Sequence, residues 1–141
     1  MLNTQLSKAA RTAALTTGLC AEFNGGTMEY RTGAQPATAD DAVTGDLLAT
    51  PTFAATAFAS VVDGVATAGT ITAEPNAPLT GVAGYVVCRD DAGAVLMMGS
   101  IGVSAAPTFE QFNVTVGTTT VNAGNIVTCE SFVLTIPAAG A

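Results

Sequence analysis

The 141-residue chain contains no histidine and no tryptophan, and only 11% of it is charged. Without histidine, the Ser–His and Cys–His nucleophile systems have no base. Its three cysteines, Cys20, Cys88 and Cys129, show no Cys-x-x-Cys spacing, so neither a zinc site nor a dithiol redox motif is expected. They read as reduced, partly buried thiols, with a Cys88–Cys129 bridge between neighbouring strands left open, because sequence does not fix the Cα separation. Basic residues are as scarce: Lys8, Arg11, Arg31 and Arg89 stand against 11 acidic residues, for a net charge of −7. That balance argues against nucleic acid and anionic membranes as partners. Long apolar runs are missing too. The most extended, 54–73, is broken by Asp63, Gly64 and several threonines, so no membrane span is expected. Thr12, Thr16 and Thr17 interrupt the stretch after Lys8 and Arg11, so secretion is not expected either and synthesis is assigned to the cytoplasm.

What remains is 49% hydrophobic and rich in alanine, threonine and glycine. Soluble domains carry about 25% charge, and interspersed charge is what keeps protein surfaces apart. The composition therefore suits a component of an assembly better than a freely diffusing enzyme. The carboxylates fall mostly at predicted turns, namely Asp40-Asp41, Asp46, Asp63 and Asp90-Asp91, where they can bond their own backbone. They lack the alternating spacing of a calcium loop. No enzymatic activity, metal or cofactor is expected.

The spacing predicts one helix over 7–19, capped by Ser7, with Leu2, Leu6, Ala10 and Ala13 on one face and Leu15 and Leu19 as a second i, i+4 pair. Strands are expected over 27–31, 47–53 (with Pro51 marking an edge or bulge), 65–72, 82–89, 94–101 and 109–116. A hairpin through Asp90-Asp91-Ala92-Gly93 should join 82–89 to 94–101, and a second through residues 122–125 should join 118–121 to 126–136. Phe132, Leu134 and Ile136 share one face, expected to pack opposite Phe112, Val114 and Val116. Seven to eight short strands with turn signals between them give a mainly β chain. The expected architecture is an antiparallel β-sandwich over 25–141 with an N-terminal α-helical arm over 1–24.

The order of segments is more telling than any one of them. The helix with Ala10-Arg11-Thr12-Ala13-Ala14 precedes Gly25-Gly26-Thr27-Met28-Glu29-Tyr30-Arg31-Thr32-Gly33, then Gln35-Pro36-Ala37-Thr38-Ala39-Asp40 and Gly45-Asp46-Leu47-Leu48-Ala49-Thr50. Asp63-Gly64-Val65-Ala66-Thr67-Ala68, Gly81-Val82-Ala83-Gly84-Tyr85 and Ser131-Phe132-Val133-Leu134-Thr135-Ile136-Pro137 follow. Over nearly its whole length the chain resembles a family of small virion structural proteins of tailed bacteriophages. Pro51 stands where that pattern favours a bulky apolar residue, and the cysteines are not part of it. The resemblance implies a capsid decoration (cement) protein on the exterior of the virion, bound to the major capsid protein as a homo-oligomer, with a trimer favoured. The alternative it implies is a tail or fibre protein that binds the host surface.

Interface candidates follow from the same reading. Leu2, Leu6, Ala10, Arg11 and Ala13 lie on the helix, whose small-residue face buries little area by itself. The helix is therefore expected to dock or oligomerise rather than complete the core. Arg31 and Arg89, each at a strand end, are expected either to pair with a local carboxylate or to anchor the protein to an acidic shell.

Overall fold

The computed structural model describes residues 5–103 and 113–136. Strands β1 (Thr27–Thr32), β2 (Leu47–Ala49), β3 (Thr52–Phe53), β6 (Ile71–Thr72), β7 (Gly81–Arg89), β8 (Val95–Gly99) and β11 (Thr120–Val121) form one sheet. The other contains β4 (Phe58–Val62), β5 (Val65–Ala68), β9 (Ile101–Val103), β10 (Val114–Val116) and β12 (Ser131–Thr135), in the order β4-β5-β12-β10-β9. The chain is mainly β, as expected, with twelve strands rather than seven or eight among the described residues. All pairings but one are antiparallel; β9 and β10 run parallel.

Strand β1 shows how alternation builds the larger sheet. Met28 and Tyr30 are buried while Thr27, Glu29 and Arg31 point the other way, the period-2 signature of a pleated strand. β7 lies along one side of β1 with Met28 opposite Cys88 and Tyr30 opposite Val86. On the other side the expected strand 47–53 is two strands, β2 and β3, both paired to β1. Pro51 has no N–H to give the ladder, and its carbonyl instead accepts the Met28 N–H at 2.9 Å.

The β7–β8 hairpin forms as predicted. Gly93 has φ +94°, and the Asp90 carboxylate accepts the Ala92 and Ala94 N–H groups at 3.0 and 2.8 Å. The expected strand 94–101 ends at Gly99, and after Ser100 the chain enters the second sheet as β9. The second expected hairpin does not form: β11 pairs with β7, with Thr120 opposite Val82. Segment 126–130 forms no strand, making only a bridge between Val127 and Glu74. The expected strand 65–72 also divides, β5 staying in one sheet and β6 pairing with β3 in the other.

Four phenylalanines tie the two layers together. Phe53 of the larger sheet meets Phe132 of the smaller edge-to-face at 5.3 Å between centroids. Phe23 reaches Phe53 at 5.6 Å and Phe58 at 5.4 Å. Phe132 and Val114, expected across the core from each other, are instead neighbours on adjacent strands of one sheet, while Phe112 lies outside the described residues. Segment 33–46 folds over the outer face of the larger sheet. There Val43 packs on a small cluster of Tyr85, Val87 and Met98, and the Tyr85 hydroxyl accepts from the Thr44 N–H at 3.0 Å and donates to its carbonyl at 2.5 Å.

The helix differs most from expectation. Ser7 caps it as predicted, accepting the Ala10 N–H at 3.1 Å. It is then built in three pieces: α1 (Lys8–Ala14), a π-helical turn (Leu15–Leu19) and α2 (Cys20–Glu22). The hydroxyls of Thr16 and Thr17 donate to the Thr12 and Ala13 carbonyls at 2.8 and 2.7 Å, competing for the acceptors that an α-helical ladder would use. The extra residue in the turn moves the buried stripe from Leu15–Leu19 to Leu15, Cys20 and Phe23, all part of the main core. The helix thus completes the core, and the expectation that it would not is corrected.

Candidate interaction surface

The interface candidates separate into groups. Leu6, Ala10 and Ala13 are exposed on the helix, and Leu2 lies outside the described residues. Arg11 is not on that face. It is only 8% exposed, and its Nη1 donates to the Leu6 carbonyl at 2.6 Å. Its stem lies on Gly64, where an added Cβ would stand 2.8 Å from Arg11 Nε and 3.0 Å from its Cβ. Gly64 has φ +79° and Asp63 φ +53°, the left-handed pair that closes a two-residue hairpin between β4 and β5. The Gly64 N–H donates to Thr12 Oγ1 at 3.1 Å. Arg11 therefore clamps the helix to the β4–β5 turn and is withdrawn from any partner, a correction to its place among the candidates. Long basic side chains bury their stems readily, which an apolar-periodicity count overlooks.

Arg31 and Arg89 are brought together on the outer face of the larger sheet by Glu29 of β1. One Glu29 oxygen accepts from Arg31 Nε at 3.1 Å and forms an ion pair with Arg89 Nε at 3.3 Å. Their remaining nitrogens reach backbone: Arg31 Nη1 donates to the Gly45 carbonyl at 3.1 Å and Arg89 Nη1 to the Gly93 carbonyl at 3.0 Å. Both guanidinium groups are thus engaged within the chain. Glu29 lies inside a predicted strand rather than at a turn, between Arg31 two residues on and the strand that ends at Arg89, and that position was the available signal for this cluster.

With these three accounted for, Lys8 is, among the described residues, the one basic side chain that is broadly exposed. Its side chain is 72% accessible, and its contact with Asp63 is a loose 3.9 Å. Both stand at the rim of a groove of about 700 Å³ between α1 and β4, lined by Ala9, Ala13 and Thr16 from the helix and by Val61 and Val62 from the strand. Val62 is 62% exposed. The wall formed by β4 was missed by sequence reading. The apolar segment Phe58–Val62 directly before Asp63-Gly64 carried the hairpin signal.

The cysteines are all free thiols. Burial pushes the thiol pKa of Cys88 and of Cys129 upward, which favours the inert neutral form. Tyr30, whose hydroxyl donates to the Thr128 carbonyl at 3.4 Å, is likewise shifted upward, by burial first and then by Cys129 and Cys88. Asp41 accepts the nearby Thr38 N–H at 2.9 Å, and Glu74 accepts the nearby Asn76 N–H at 3.1 Å and the distant Thr50 N–H at 3.2 Å. Among the described residues no three cysteine or carboxylate side chains converge as metal ligands, and no helix is long and apolar enough to cross a membrane.

No family model, curated protein or solved structure matches the chain.

Proposed function

We propose that the protein is a bacteriophage capsid decoration (cement) protein, located on the virion exterior and not an enzyme. It binds the major capsid protein on the assembled head as a small homo-oligomer and holds neighbouring capsomers together. One observation carries this reading: three of the four cations are spent inside the fold, while apolar side chains such as Val62, Val82 and Ile126 remain exposed. A surface of that kind attaches through apolar contact and strand-edge hydrogen bonds rather than through charge. The segment order, which resembles that of small phage virion proteins, supports the same assignment. Modest contacts made to several capsomers at once add up steeply, and a ligand that binds only the assembled shell stabilises it by linkage.

The test is co-sedimentation of the purified protein with empty heads, followed by counting copies per particle. The proposal expects saturable binding on the order of hundreds of copies per head, as repeated equivalent sites demand. No binding to heads would overturn it, and a handful of copies found only on tailed particles would assign the protein to the tail or fibre instead.

A further inference from the structure

We infer that the pocket formed by segments 116–121 and 122–130 receives one basic side chain, lysine or arginine, from the major capsid protein. The inference rests on the capsid-binding reading above and names the kind of group on the partner that this protein grips.

The pocket lies where the chain leaves β10 in the smaller sheet and enters β11 in the larger. Its apolar lining consists of the buried Val116 and Val121, together with Val127 and the exposed Ile126. The backbone around it is tied down on both sides. Val127 and Glu74 exchange two N–H···O bonds of 2.9 Å, and the Glu130 N–H donates to the Thr115 carbonyl at 2.9 Å. The Glu130 side chain turns back over Gly117, where an added Cβ would stand 3.2 Å from Glu130 Oε1. That places the carboxylate in the lining, which it shares with the amides of Asn122 and Asn125 and the hydroxyls of Thr120 and Thr128.

Charge and size together identify the occupant. Among the described residues Glu130 is the one ionisable side chain in this lining, and none of the chain's own cations answers it. Lys8 and Arg11 flank the β4–β5 turn, and Arg31 and Arg89 hold Glu29. A carboxylate set among uncharged oxygens is complementary to an ammonium or guanidinium group, which has only donors to offer. Long basic side chains lay their methylene stems on apolar surface while the head reaches a polar end, and valine and isoleucine stand beside Glu130 for that purpose. The space is about 210 Å³, below the roughly 300–1,000 Å³ of small-molecule sites, so it suits one side chain rather than a larger ligand. An ion pair sheltered in a pocket is screened much less than an exposed one. The contact therefore adds selectivity to an attachment that is otherwise apolar.

The test begins with the full chain alone, without phage particles, so that its failure is separate from failure of capsid binding. Titration with N-acetyl-lysine amide and with N-acetyl-arginine amide, followed by nuclear magnetic resonance, should shift amides of 116–130 saturably with at least one of the two. N-acetyl-norleucine amide, which has an apolar chain and no charge, should leave them in place. Glu130→Gln should weaken binding of the basic probe about tenfold or more, with unchanged circular dichroism, whereas Asp40→Asn, at an exposed carboxylate outside the pocket, should not. On empty heads, Glu130→Gln should lower occupancy at a fixed protein concentration. No shift with either basic probe, an equal response to norleucine amide, or an affinity indifferent to Glu130→Gln would each overturn the pocket. Heads filled equally by the Glu130→Gln protein would overturn the capsid as the source of the side chain. Unmodified protein that responds to the probes but does not bind heads would overturn that source too, while the pocket itself stands.

Discussion

Replacing Phe132 with alanine tests the core at the place where both sheets and the end of the helix meet. Phe132 is fully buried. It touches three other rings, with centroids at 5.3 Å to Phe53, 5.8 Å to Phe58 and 6.0 Å to Phe23. Truncating a buried phenylalanine costs about 3–5 kcal/mol, part lost transfer energy and part cavity. Edge-to-face geometry adds about 0.5–1.5 kcal/mol per aromatic pair beyond the buried area, and the Phe53–Phe132 pair has it, with planes 79° apart. The variant should therefore lose about 4–5 kcal/mol. A domain of this size has about 5–15 kcal/mol in total, so the loss is a large share of it. With a urea slope of about 2 kcal/mol per molar, the midpoint should fall by about 2 M with the slope unchanged. Loss of less than about 1 kcal/mol, the level of an ordinary surface change, would refute the packing of Phe132 between the sheets.

Three further outcomes are expected. Leu15→Ala should cost about 2–5 kcal/mol in the same titration, because Leu15 is fully buried, whereas a change at exposed Ala10 should stay within about 0.5 kcal/mol; equal and small effects would mean the helix is a detachable arm after all. Stability should fall as pH rises above the ordinary thiol value of 9.0, because burial holds the proton on Cys88 in the folded chain while the unfolded chain releases it. That single group contributes about 1.4 kcal/mol per pH unit, so Cys88→Ala should flatten the alkaline decline seen in urea midpoints, and an unchanged slope would count against its burial. Copies bound to heads should stay bound at about 1 M salt, where the screening length is near 3 Å, and Arg31→Ala or Arg89→Ala should reduce occupancy only modestly, since both guanidinium groups already hold Glu29; complete release by salt would show the attachment to be electrostatic.

The elements that could be read from sequence are those whose signals are local. The Ser7 cap, the alternation of β1 and the Asp90–Gly93 turn each depend on a few adjacent residues, and each stands where it was expected. What could not be read depends on partners distant in the chain. Whether 118–121 pairs forward with 126–136 or back with β7 is decided by tertiary packing, and β7 is the partner. The division of 94–101 at Ser100 was equally hidden. It depends on Asn113, whose side-chain oxygen accepts the Ser100 N–H at 3.1 Å and whose amide donates to the Val133 carbonyl at 3.1 Å. The interface candidates show the same division. That Ala10 and Ala13 share a face followed from helical periodicity, but the burial of Arg11 could not, because it depends on a glycine more than fifty residues away.

That dependence has a consequence for how the surface works. A helix interrupted by a π-turn after seven residues would be marginal in isolation. Here Leu15, Cys20 and Phe23 hold it from beneath, and Arg11 holds it to Gly64 at the β4–β5 turn. The side chains that anchor the helix therefore also fix the distance between its outer face and β4, which together form the groove. Both walls are held by the fold itself, so a partner of the kind proposed would avoid much of the entropy cost of ordering a free arm. A partner that fits the groove binds only the folded chain, and by linkage it stabilises the same helix packing that created its site. Core and groove are in this sense one structure: loosening Leu15 should disturb the groove as well as stability, although Leu15 itself lies wholly inside the core.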